Sequence, residues 1–110
     1  MFKFGHIILV KFPFSNLQNF KERPALVLIS GTNEDLVCAK ITSNQNVNLS
    51  YSVNLISWKE SNLLRPSIIR LDKIATFYKN QIIQEIGKLN LAELERIKNK
   101  FKEVYSEILN

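Results

Sequence analysis

The chain has 110 residues, 45% apolar and 23% charged, with a net charge of +5. That length makes one domain, residues 1–110, with a modest core, and the balance excludes disordered and fibrous classes. The lone cysteine, Cys38, excludes an intramolecular disulfide and fits a reducing compartment, and with His6 the only histidine the usual ligands cannot assemble a zinc cluster.

HIILVKF (6–12) opens the chain as a strand. Its apolar core, Ile7 to Val10, is shorter than the roughly 7–15 residues of a signal-peptide core or the about 20 of a membrane helix. No longer run occurs, so the chain reads as cytoplasmic with no membrane partner. His6 reads as a hydrogen-bonded structural imidazole ahead of a catalytic one, since a single histidine cannot form a two-histidine acid–base pair.

The loop FPFSNLQNFKE (12–22) follows, with Phe14, Leu17 and Phe20 folding over either the core or a ligand. Arg23 is held extended by Pro24. PALVLIS (24–30) is the second strand, Gly31 to Glu34 a tight turn, and DLVCAKIT (35–42) the third strand. It ends in Thr42-Ser43-Asn44-Gln45, polar side chains and free backbone amides at a strand exit. SYSVNLI (50–56) is the fourth strand. Trp58 beyond it suits interface or core beside Leu63 and Leu64 better than base stacking.

SIIRLDKIATF (67–77) sets Arg70 and Asp72 two apart inside an apolar strand, hence on one face. They are either a structural ion pair or half of a reaction site. IIQEIGKL (82–89) is the sixth strand. Six short Ile- and Val-rich strands with short links predict a small, strongly curved sheet or barrel over about 5–89. From Leu91 the period becomes helical to about 109, with a stripe at 91, 94, 97, 101, 104, 105 and 108. Asn90 is an N-cap and Glu93 completes a capping box. The fold class is mainly β with a C-terminal α-helix.

Residues 91–110 carry four basic and four acidic groups, so the whole charge excess lies in residues 1–90. A basic body suits a polyanionic partner. There is no Gly-rich phosphate loop, convincing carboxylate pair or GxSxG elbow, so no cofactor is implied. Two guanidiniums, a carboxylate and hydroxyls suit phosphodiester cleavage in RNA, which supplies its own nucleophile in the 2′-OH. Arginine holds phosphate oxygens bidentately, and Asp72 is the group able to accept a proton. Lys21, Ser43, Asn44 and Gln45, with the loops Phe12–Glu22 and Ser43–Ser50, are the candidates for binding exposed bases.

Four blocks in order, GHIILVKFPFSN, KERPALVL, VCAKITSN and LLRPSIIRLDKIATF, cover most of residues 5–77. Together they resemble the PemK/MazF family of toxins from type II toxin–antitoxin systems. The resemblance implies an SH3-like barrel with a C-terminal helix, a homodimer, and a metal-independent endoribonuclease acting on single-stranded RNA. It implies 2′,3′-cyclic phosphate and 5′-hydroxyl ends, and an antitoxin as partner. Arg23, Thr42, Arg70 and Asp72 fall where family members carry catalytic residues. His6 departs from the family, which commonly has an acidic residue there. A related family with the same barrel binds DNA gyrase without nuclease activity, and a binding barrel without activity is a third reading.

Overall fold

Apolar residues stand on both sides of the first strand, so it has to be covered on both faces. In the computed structural model, which describes residues 2–13, 20–31 and 33–109, β1 (His6–Pro13) buries Ile7 on one side and Ile8 and Val10 on the other. After it come β2 (Phe20–Ser30), β3 (Leu36–Thr42), β4 (Ser52–Asn54), β5 (Ile68–Phe77) and β6 (Ile82–Lys88). They make one antiparallel sheet in the order β4-β5-β3-β2-β1-β6. The last strand returns to pair with the first, and β4 and β6 remain as edges. The expected barrel is therefore barrel-like and open.

Bulges supply the curvature, because an extra residue bends its strand and raises the local twist. Register shifts occur between Val27 and Ile29 of β2 and at two places along β1. The largest lies in β5: Ala39 faces Ile74 while its neighbour Lys40 faces Arg70, leaving Leu71, Asp72 and Lys73 as a three-residue bulge. One face of the sheet gathers Ile7, Leu26, Ala39, Ile41, Ile69 and Leu71 around Ile97 of the helix. Ile8, Val10, Ala25, Val27, Cys38 and Phe77 form a second cluster, with Phe2 and Ile82 against it. Burial pushes the Cys38 thiol up to about 12, so it packs and does not react.

Helix α1 (Leu91–Val104) begins at Asn90, whose side chain accepts the Glu93 N–H at 2.9 Å. The capping box does not close. Glu93 is only 2% exposed, and its carboxylate turns instead to the loop after β4, accepting from the N–H groups of Ile56 and Ser57 and the Ser57 hydroxyl, and from Arg96 one turn on. Nor is the helix continuous to 109: it stops at Tyr105, whose phenol donates to the Leu71 carbonyl, and a short α2 (Ser106–Leu109) follows. The expected stripe is buried at Ile97 and partly at Leu94 and Val104, while Leu91 and Ile108 are exposed.

Two other expectations change. The fourth strand shrinks to three residues because Asn48 accepts the Ser50 N–H at 2.9 Å and winds 49–51 into a 3₁₀ turn, a local side-chain bond that competes with the ladder. The 12–22 loop shortens, since β1 runs to Pro13 and β2 starts at Phe20. Phe14, Leu17 and the side chains of Phe12 and Phe20 lie outside the described residues, as does Thr32 of the 31–34 turn. Trp58 packs against the main core, with the Lys59 ammonium 5.4 Å from its ring centre.

Candidate functional site

Register decides which side chains share a face, because successive residues of a strand point to opposite sides. Ala25 of β2 stands opposite Lys40 of β3, and Lys40 stands opposite Arg70 of β5. Residues an even number away keep that face, so Lys21, Arg23, Lys40, Thr42 and Arg70 share it. The β2–β3 ladder ends at Ala25–Lys40, one residue short of Pro24, which has no N–H to continue it. Extending the register two residues further sets Arg23 abreast of Thr42. Arg23 and Arg70 are two strand spacings across and two residues along, about 12 Å between Cα atoms.

Asp72 joins this face from the β5 bulge. Arg70 Nε donates to Oδ1 at 3.2 Å and Nη2 to Oδ2 at 2.8 Å, a two-pronged pair with side chains 23% and 30% exposed. The hydrogen bonds from Arg70 hold the Asp72 carboxyl below the usual carboxylate range, and the same bonds raise Arg70. The carboxylate is thus ionised, but while paired it is a weakened base. Thr42 Oγ1 accepts the Asn44 N–H at 3.1 Å, which leaves the hydroxyl proton to donate elsewhere. Arg23 spends one bond, from Nη1 to the carbonyl of its neighbour Glu22 at 3.1 Å.

A family model for the PemK-like, MazF-like toxins of type II toxin–antitoxin systems matches residues 3–105. The chain belongs to that family. Its fold is similar to an endoribonuclease in complex with its cognate antitoxin from a mycobacterial species, with a TM-score of 0.76, 14% identity and 96% of each chain covered. It is also similar to the MazE–MazF structure from Deinococcus radiodurans, with a TM-score of 0.75, 15% identity, and 94% of this chain and 95% of that one covered. MazF from the same organism gives 0.70 and 17%, over 94% and 96%. No curated protein matches the chain.

His6 sets Nδ1 2.7 Å from Oε1 of Glu85 on β6, out of line for a hydrogen bond. A carboxylate therefore approaches the first strand from its neighbour. The Thr42–Gln45 segment has spent much of its polarity internally. The amides of Asn44 and Asn46 bind Thr42 Oγ1 and Asn44 Oδ1, so the expected free amides are occupied there. Gln45 Nε2 donates to the carbonyls of Ser43 (3.1 Å) and Pro66 (3.2 Å), fixing the loop against the start of β5. Ser43, Asn44 and Gln45 are exposed, and Lys21 lies on β2 opposite Phe12.

Lys40 is a further member of this face, outside the residues expected from the sequence. It stands two residues before Thr42 in the same strand, so alternation alone assigned it to the site's face; its place beside Arg70 needed the β3–β5 register. Among the described residues no three His, Cys, Asp or Glu side chains gather to hold a metal, and no helix is long and apolar enough to cross a membrane.

Proposed function

We propose that this PemK/MazF-family toxin is an endoribonuclease that cleaves single-stranded RNA without a metal. The 2′-oxygen attacks the adjacent phosphorus, the bond to the 5′-oxygen breaks, and the ends are a 2′,3′-cyclic phosphate and a 5′-hydroxyl. What supports the reading is the common face of Arg23, Thr42, Arg70 and Asp72 in a chain of this family. Arg23 and Arg70 neutralise the charge that builds on the phosphate oxygens, and the Thr42 hydroxyl donates to one of them. An incoming phosphate competes with Asp72 for Arg70. The freed carboxylate takes the 2′-OH proton, and the 5′-oxygen gains one from water, so protons balance. Lys21, Ser43, Asn44 and Gln45 bind neighbouring nucleotides.

The same reading supplies partners and setting. The chain acts in the cytoplasm as a homodimer and is held inactive by an antitoxin, whose acidic, flexible segment covers the basic face. The test is purified protein, a defined single-stranded RNA and EDTA, with end-group analysis of the products. Cleavage with cyclic-phosphate ends, lost in Arg23→Ala and Thr42→Ala while both variants remain folded, is the expected result. An intact substrate refutes the proposal and favours a gyrase-binding or purely binding barrel, for which the exposed Ile108 (78%) and Leu109 (67%) offer a contact surface.

A further inference from the structure

Two like charges directly opposite on neighbouring strands destabilise a sheet, yet Lys40 of β3 stands opposite Arg70 of β5. Arg70 is neutralised by Asp72. Lys40 has no such partner: it is half-buried and its side chain makes no hydrogen bond or ion pair with any described residue. A cation withdrawn from water without a counter-charge is an unfavourable arrangement unless an anion arrives. Beside it opens a shallow cleft of about 270 Å³. Lys40, Lys73 and Asp72 supply its polar lining, while Ile74 and Ala75 supply exposed apolar surface in front of the buried Cys38 and Phe77. The Asp72 charge is already matched, so the net field in the cleft is positive.

We propose that this cleft is a nucleotide subsite: Lys40 and Lys73 hold a phosphate flanking the scissile one, and the attached base lies on the apolar surface beside Ala75. The ligand class, RNA, rests on the ribonuclease reading. The apolar lining favours a nucleotide over an acidic peptide, because a planar base buries carbon surface while its phosphate meets the lysines. Lys40 here is a binding residue and takes no part in proton transfer.

The test measures binding, with a fully 2′-O-methylated ten-nucleotide RNA as probe so that cleavage does not intervene. Fluorescence anisotropy across a salt series compares the native chain with Lys40→Gln and Lys73→Gln. Each variant is expected to bind about fivefold more weakly at 0.1 M salt. The slope of log K against log salt becomes shallower by about 0.7, the release expected for one single-strand phosphate contact. Lys40→Arg restores both. Thermal melting of Lys40→Gln is expected at or above the native midpoint, since a like-charge contact has gone; a lysine that serves the fold gives a lower one. Unchanged slopes overturn the subsite, as does a native chain that does not bind the probe. Variants that lose affinity for a polyglutamate peptide but not for RNA overturn it too. A native chain that binds the probe but leaves unmethylated RNA uncut defeats the ribonuclease reading while the subsite stands.

Discussion

Asp72→Asn separates a scaffold from a working group, because the two roles predict effects of different size. The Arg70–Asp72 pair is a quarter to a third exposed, where water screens the attraction and an ion pair contributes up to about 1 kcal/mol. Asparagine has nearly the same shape, and its Oδ1 still accepts from Arg70. The melting midpoint should therefore fall by no more than about 4–8 °C. Removing a general base slows the chemical step by roughly 10²–10⁴, or at least about 2.7 kcal/mol on the barrier. The barrier effect exceeds the stability effect severalfold. Single-turnover cleavage of an end-labelled RNA in EDTA, beside a urea melt of the same preparation, reads both quantities. A variant that cuts within about fivefold of the native rate, or that loses activity only in step with its unfolded fraction, refutes the role assigned to Asp72.

Glu93→Ala leaves the Ile56 and Ser57 N–H groups and Arg96 without their acceptor; Arg96 is 40% exposed and rehydrates, so the loss is that of unsatisfied backbone donors, about 1–3 kcal/mol in urea unfolding. Burial alone raises the Glu93 carboxyl, but hydrogen bonds from Ser57, Arg96 and Ile56 bring it below its ordinary 4.5. The native chain's extra stability is thus present above pH 4.5 and lost as pH falls through the lower folded value; a Glu93→Ala melting curve parallel to the native one between pH 3 and 7 refutes this. Gly87→Ala puts a methyl group 2.4 Å from the Ser61 carbonyl oxygen. Because that neighbour is backbone, a loss of about 1–3 kcal/mol is expected in the same melt.

The strands were legible because Ile- and Val-rich runs are short and bounded by polar links; β1, β3 and β5 begin and end within about a residue of their sequence limits. The Arg70–Asp72 contact was legible too, since two-residue spacing is a local property that the β5 bulge does not undo. What stayed hidden depends on other segments. Glu93 reads as half of a capping box until the 56–57 loop comes within reach of its carboxylate. Lys40 reads as an ordinary strand lysine until a three-residue shift in β5 brings Arg70 opposite it. The end of the helix at Tyr105 follows a bond to a carbonyl 34 residues earlier in the chain.

That last bond ties the site to the core. Leu71 sits between Arg70 and Asp72, with its side chain fully buried on the helix-covered face and its carbonyl taken by Tyr105. A bulge residue left unpaired in the ladder is otherwise free to shift. Here burial fixes it from one side and the phenol fixes its peptide, so the flanking Arg70 and Asp72 inherit a defined direction toward the opposite face. The helix that supplies Tyr105 is docked in turn by Ile97 in the main cluster and by Glu93 on the 56–57 loop. The C-terminal helix therefore acts on the proposed chemistry by holding the strand that carries it.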